Sequence, residues 1–160
     1  MKVVIASDHG GYQLKEELKA YIAQLGHEVA DYGTHSTDSV DYPDFAFLVA
    51  EAVAAGAADR GIMIDGIGSA SGIVANKVPG VRAAVCADTF SAGMSRAHND
   101  ANMLTLGARV IGGGLAREIV RVWLSTGFEG GRHMRRVSKI LDFEQRYYGR
   151  RGDTGCTQPK

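Results

Sequence analysis

Gly61-Ile-Met-Ile-Asp65-Gly-Ile-Gly68-Ser-Ala-Ser71-Gly72 is an apolar strand that runs into a glycine-rich turn with a carboxylate at the junction. Gly66, Gly68 and Gly72 let the backbone approach a ligand closely. They also leave amides free at the start of a helix through Ile73 to Lys77, and such a terminus favours negative charge. The spacing is not Gly-x-x-x-x-Gly-Lys-Ser/Thr. It also misses Gly-x-Gly-x-x-Gly, because the third glycine comes one position late, so neither nucleotide motif is met. The glycines suit a tight strand-to-helix connection as well as a ligand turn. Asp65 is then a helix cap, a ribose-binding group or a base held beside the ligand.

Upstream, Val3 to Ala6 is an apolar run without polar alternation that ends at Ser7-Asp8-His9-Gly10-Gly11. It reads as a buried parallel strand delivering its end to a loop. Leu14, Leu18, Tyr21, Ile22 and Leu25 recur at helical spacing before Gly26, which predicts a helix over 11–25. His27 to Tyr32 resembles a second strand. The polar, turn-rich stretch 33–44 closes with Asp41-Tyr42-Pro43-Asp44 and precedes a helical pattern through Phe47, Leu48, Val49, Ala52 and Val53, which makes it a candidate site wall.

Downstream, Val81 to Cys86 reads as the fourth strand, and either Leu104–Leu106 or Val110–Ile111 as the fifth. Helices follow over 115–124 and from about Met134 to Tyr147, and the polar segment 149–160 reads as a disordered tail. Strands alternating with helices predict an α/β fold with a parallel sheet whose ligands bind beyond the carboxyl ends of the strands. Asp8, His9 and Asp65 all fall at such ends. No internal repeat divides residues 1–148, which read as a single domain.

The chain has 160 residues, with eighteen basic and eighteen acidic side chains and a formal net charge of zero. That balance argues against a broad electrostatic footprint for nucleic acid or an anionic membrane. Cys86 and Cys156 have no metal-ligand spacing and read as free thiols in a reducing compartment. The N-terminal apolar run is too short for a signal peptide, and no uncharged stretch approaches the ~18 residues of a membrane span. The cytoplasm follows as the default location.

His9 follows Asp8, His98 precedes Asn99 and Asp100, and Arg132-His133-Met134-Arg135-Arg136 opens the last helix. Each is an ordinary solvated group unless the fold brings them together. Arg132 and Arg136 lie four apart on one helix face, which suits two guanidinium groups closing on a phosphate. No aromatic residues interleave with them, so phosphate is favoured over nucleic acid.

Ser7-Asp-His-Gly-Gly11, Asp41-Tyr-Pro43, Ala75-Asn-Lys-Val-Pro-Gly-Val-Arg-Ala-Ala84, Ser95-Arg-Ala-His-Asn-Asp-Ala-Asn102, Gly107-Ala-Arg109 and Glu129-Gly-Gly-Arg-His133 together resemble the ribose/galactose isomerase family over residues 1 to about 148. The resemblance implies a Rossmann-like three-layer sandwich with a five-stranded parallel sheet. It also implies a homodimer or tetramer whose active sites are shared between subunits, and no metal or organic cofactor. The implied activity is aldose–ketose isomerisation of a sugar phosphate through an enediolate. Ribose 5-phosphate and ribulose 5-phosphate are the default pair. Galactose 6-phosphate, allose 6-phosphate, a tetrose phosphate or a non-catalytic binding subunit are the alternatives.

By position, the resemblance implies that His98 opens the sugar ring and Asn99 supports the enediolate. Asp8, His9 and Tyr42 line the sugar site, and Arg132 and Arg136, with Arg109 of the partner subunit, hold phosphate. The chain departs from the family at the proton-transfer base. The family's ribose-5-phosphate enzymes commonly carry a cysteine base at the position of Asp65, and a second subgroup carries a glutamate at the position of Ser71; this chain has neither. Asp65 is therefore expected to be the base, with the amides of residues 66 to 72, those of Gly66 and Gly68 among them, facing the enediolate and Ser69 and Ser71 as polar substrate contacts. Ile67 stands where a threonine is usual. An aspartate at this strand end is also similar to a galactose-6-phosphate isomerase subunit that works beside a cysteine-bearing partner.

Overall fold

A computed structural model describes residues 1–151, and the side chains of residues 1–148. Five strands, β1 (Lys2–Ser7), β2 (Glu28–Asp31), β3 (Arg60–Asp65), β4 (Ala83–Val85) and β5 (Met103–Gly107), form one parallel sheet in the order β2-β1-β3-β5-β4. Parallel neighbours require crossovers. These are supplied by α1 (Tyr12–Gln24), α2 (Tyr42–Ala54), α3 (Ser69–Ala75) and α4 (Thr89–Asn99), while α5 (Gly113–Ser125) and α6 (Arg132–Arg151) follow the last strand.

The apolar runs become strands because both sheet faces are covered, so alternate side chains enter different cores. Val3, Ile5, Ile62, Ile64, Leu104 and Leu106 pack with Leu18 and Ile22 of α1 and Ile119 and Trp123 of α5. Val4, Ala6, Met63 and Met103 point the other way, against Ala46, Val49 and Val53 of α2 and Ala75 of α3. The expected Rossmann-like three-layer sandwich with five parallel strands is present.

Several boundaries move. The fourth strand is confined to Ala83–Val85, since the amide of Arg82 is taken by Asn102 Oδ1 at 2.8 Å instead of a ladder partner. Of the two candidates for the fifth strand, the first is right. The amides of Val110 and Ile111 fold back onto the carbonyl of Gly107 and make a turn into α5. The short helix after the glycine turn begins at Ser69, four residues before the expected Ile73. The last helix begins at Arg132 and runs to Arg151, so the expected tail starts too early at 149, and its residues 152–160 lie outside the described residues.

One buried charge fixes the sheet edge. Lys15 is fully buried and its Nζ donates to Asp31 Oδ1 and Oδ2 at 2.8 and 2.6 Å and to Glu16 Oε1 at 2.8 Å. Asp31 also accepts from the amide of Gly33 at 2.9 Å, which ties the end of β2 to the start of the loop over 33–41. Burial alone would raise the Asp31 pKa, but Lys15, Lys19 and the Gly33 amide together hold it below the ordinary carboxylate value.

Removing one member of a buried pair leaves the other uncompensated, which costs about 3–5 kcal/mol. Asp31→Ala is expected to lose stability on that scale in urea denaturation. Because the folded-state pKa is depressed, Asp31 contributes stability above the unfolded carboxylate pKa and loses it as pH falls through the folded value. Wild type should therefore show an acid-side decline that is shallower in the variant.

Candidate active site

The site residues named from sequence gather in two groups. The first lies beyond the carboxyl ends of β1 and β3. Asp65, only 2% exposed, ends β3 and accepts four hydrogen bonds, from the Ile67 and Gly68 amides on Oδ1 and from the Ser71 amide and hydroxyl on Oδ2. An ionised carboxylate has about four lone-pair sites, so its accepting capacity is filled. The turn must be tight for this to happen. Gly68 has φ 81°, a left-handed conformation suited to glycine, and a Cβ on Gly107 of the adjoining strand would meet the Ile67 carbonyl carbon at 2.6 Å.

Three of the turn amides expected to face a ligand are thus engaged by Asp65. Ser71 is fully buried with its amide and hydroxyl turned to the same carboxylate. The expected direct contact from Ser71 to substrate is corrected: its polar atoms shape the turn from behind. Ser69 is exposed at the first position of α3, and Gly66 is half-buried beside Arg109, whose amide donates to the Gly66 carbonyl at 3.0 Å.

Asp8 follows β1, and its amide donates to the Ile64 carbonyl at 3.1 Å, so it stands directly beside the end of β3. Its Oδ1 accepts from the Gly11 amide at 2.9 Å. A Cβ on Gly10 would lie 3.3 Å from Asp8 Oδ1 and 3.8 Å from the Gly66 nitrogen, which sets these two polar groups around one small gap. His9 Nδ1 lies 3.3 Å from both the amide and the carbonyl of Val40, linking this edge to the loop before α2. Tyr42 opens α2, with Pro43 in the first turn where its missing N–H is not needed.

The second group lies at the other end of the sheet. His98 and Asn99 end α4, which runs antiparallel to the strands. The Asn99 carbonyl accepts from Arg82 Nε at 3.1 Å just before β4 begins, and nearby Asn102 gives its carbonyl to the Gly61 amide near the start of β3 at 3.0 Å. From Gly61 to Asp65 is four residues of strand, about 13 Å at ~3.3 Å per residue. Within one chain, His98 and Asn99 do not meet Asp65 and Asp8.

The α6 N-terminus joins this second group. The His98 and His133 rings stack with centroids 4.1 Å apart and planes 3° from parallel. Glu129 Oε2 lies 3.8 Å from His98 Nε2 and 3.7 Å from His133 Nε2. Burial, then His98, Arg132 and Arg136, push the His133 pKa below its ordinary value, against a smaller upward pull from Glu129. His98, Glu129 and His133 bring ligand atoms within 4.8 Å of one another. Parallel imidazoles aim their in-plane lone pairs along parallel planes, so one ion cannot lie on both, and the trio is not arranged as a metal centre. Arg132 and Arg136 of this group, and Arg109 of the first, are exposed and form no ion pair among the described residues.

Sequence reading missed the bracket behind His98 and Asn99. Asp100 ends α4 in the left-handed conformation at φ 47°. Its side chain accepts from Arg96 Nη1 at 2.7 Å and Arg82 Nη2 at 3.2 Å, and its carbonyl accepts from Arg82 Nη2 at 2.8 Å. Arg96 is buried under Trp123, with its guanidinium carbon 6.0 Å from the ring centroid. The four-residue spacing of Arg96 and Asp100 was the available signal; Arg82 could not be placed with them from spacing alone. A 580 Å³ cavity lined by Arg82, Asn99, Ile140, Phe143 and Tyr147 adjoins this bracket, with mainly apolar walls ill suited to phosphate.

Fold and site define a Rossmann-like α/β protein with carboxylates at the strand ends and three exposed arginines, of which Arg132 Nε donates to His133 Nε2 at 3.3 Å and none forms an ion pair among the described residues, an arrangement suited to a small anionic substrate. Residues 3–140 match the family model described as Ribose/Galactose Isomerase, and the chain belongs to that family. The structure is similar to that of Clostridium thermocellum ribose-5-phosphate isomerase B, with TM-score 0.90 and 56% identity over 92% of this chain and 99% of that one. In sequence it is 48% identical to ribose-5-phosphate isomerase B of Escherichia coli, over 91% of this chain and 97% of that one. It is 43% identical to D-erythrulose-4-phosphate isomerase of Pectobacterium atrosepticum, over 90% of this chain and 95% of that one.

Two outcomes follow from this geometry. Asp65→Asn sets an NH₂ group against amide donors, and about 1–3 kcal/mol of stability should be lost in urea denaturation. His133 binds its proton more readily unfolded than folded, so stability should fall as pH drops below about 6.5 toward the lowered folded-state value. His133→Asn should flatten that part of a thermal-midpoint-versus-pH curve.

Proposed function

We propose that this chain is an aldose–ketose isomerase of sugar phosphates, with ribose 5-phosphate and ribulose 5-phosphate as the first substrate pair. The protein works in the cytoplasm as a homodimer, alone or paired into a tetramer, and residues 1–148 form one catalytic unit. The observation that carries the reading is the division of the site residues between opposite ends of the sheet. Neither group is a complete site, and a two-fold dimer presents the second group of one subunit to the first group of the other. Ile67, Ile73, Val85 and Phe90, between 48% and 75% exposed on and around α3 and β4, supply an apolar face for that contact.

In the assembled site, His98 of the partner subunit passes a proton between ring oxygen and anomeric hydroxyl to open the furanose. Arg132 of the partner subunit and Arg136 of the partner subunit hold the phosphate together with Arg109. A carboxylate at the strand ends moves the proton between C2 and C1, Asp65 being the choice made from sequence. Asn99 of the partner subunit and the Gly66 amide stabilise the charge that develops on the enediolate oxygens. The relative acting on erythrulose 4-phosphate favours a shorter sugar as the second reading, and Ile67, apolar where a threonine is usual, would alter contacts to the sugar hydroxyls.

Incubation with aldose and ketose phosphates of four to six carbons in D₂O, followed by NMR, should show conversion and deuterium at the exchanging carbon. Absence of both across the panel would sink the enzyme reading. Sharing of the site is tested by mixing. Arg109→Met and His98→Asn proteins, each nearly inactive, should regain roughly a quarter of wild-type activity after subunit exchange, since random pairing in a two-fold dimer rebuilds one intact site in half the dimers. No recovery in exchanged dimers would place the whole site within one chain.

A further inference from the structure

Building on the isomerase reading, we infer that Asp8, and not Asp65, is the carboxylate that carries the proton between the two sugar carbons. The two residues stand side by side at the ends of β1 and β3, but they differ in what their oxygens already do. Every acceptor site of Asp65 is occupied. To free Oδ2 the Ser71 hydroxyl must turn away, and Ser71 is fully buried, so a donor is stranded at a cost of about 1–3 kcal/mol. To free Oδ1 the turn itself must open.

Asp8 Oδ1 accepts from the Gly11 amide at 2.9 Å, but its Oδ2 accepts from no described residue and is not sealed in the interior. The residue is 8% exposed and forms no ion pair among the described residues, so one carboxylate oxygen has no protein partner there. Gly10 has no side chain to separate it from the Gly66 amide, the turn amide not taken by Asp65 that lies nearest. The backbone bond from the Asp8 amide to Ile64 fixes the carboxylate to the most buried part of the sheet. A base needs an available lone pair within reach of the proton it takes; Asp8 has the lone pair and stands beyond the strand ends, where ligands of parallel sheets bind.

The step balances without a further reactant. Asp8 Oδ2 takes the proton from C2 of the open-chain aldose. The C–H electron pair becomes the C1–C2 double bond, and the carbonyl pair moves to O1 as an oxyanion. The O2 proton passes to O1, the O2 electron pair then forms the C2 carbonyl, and the double-bond pair takes the proton back from Asp8 at C1. Asp65 acts through the turn, as the residue that positions Gly66.

The test measures deuterium incorporation by NMR in D₂O at saturating sugar phosphate, with inorganic phosphate binding and thermal midpoint as controls. Asp8→Asn keeps an acceptor for Gly11 and should lower the exchange rate about 10²–10⁴-fold, the usual loss of a general base. Its phosphate affinity should stay within about threefold, because the arginines are untouched. Formate should restore part of the exchange to Asp8→Gly. A loss smaller than about 100-fold in Asp8→Asn, or one accompanied by an equal loss of phosphate binding, overturns the assignment. If Asp8→Asn does not fold, Asp8→Ser is read against the same limits. A wild-type protein inactive on every sugar phosphate defeats the isomerase reading itself, whereas an active wild type with an active Asp8→Asn defeats only the role of Asp8.

Discussion

The Asp65 carboxylate gathers the amides of Ile67, Gly68 and Ser71 and the Ser71 hydroxyl, and through them it decides the path of the chain from the central strand into α3. A buried carboxylate is tolerated only where hydrogen bonds replace its hydration. Here the donors come from the turn that the carboxylate shapes, so side chain and turn stabilise each other. The close approach of Gly107 to Ile67 depends on that path. So does the position of Gly66 beside Arg109 and Asp8. A single side chain therefore sets the floor on which the first half of the site is built.

The other half rests on a different kind of support. His98 and Asn99 occupy the last turn of a helix, where backbone carbonyls lack intrahelical partners and the chain tends to fray. Arg82 and Arg96 supply donors to this terminus and grip Asp100, while Trp123 covers Arg96 from the core. The two halves are thus rigid for unrelated reasons and are held apart by the length of the strands. That separation gives the proposed dimer a chemical purpose, since in it the acid, base and phosphate ligands proposed above would come to the same sugar only on association.

Much of the scaffold was legible in sequence because parallel strands buried on both faces need unbroken apolar runs, and Val3–Ala6 and Gly61–Ile64 are such runs. The fourth strand was overread because Val81 and Cys86 are apolar for core packing beyond the ladder itself. Val110 and Ile111 look like a strand for the same reason, although their amides close a turn. Motif order identified the family, and helical spacing put Arg132 and Arg136 on one face. Nothing in one-dimensional spacing indicates that His98 and Asp8 lie at opposite ends of a sheet, since that follows from helices returning antiparallel to the strands they connect.

Sequence alone determined the alternation of elements, the carboxylates at the strand ends and the family motifs, because periodicity and local motifs are properties of neighbouring residues. Only the tertiary structure decided what those residues are free to do. Hydrogen-bond occupancy depends on groups brought together by folding, and it separates two adjacent aspartates that look equally suitable on paper. Asp65 is saturated by its own turn, whereas Asp8 keeps an oxygen open beside Gly66.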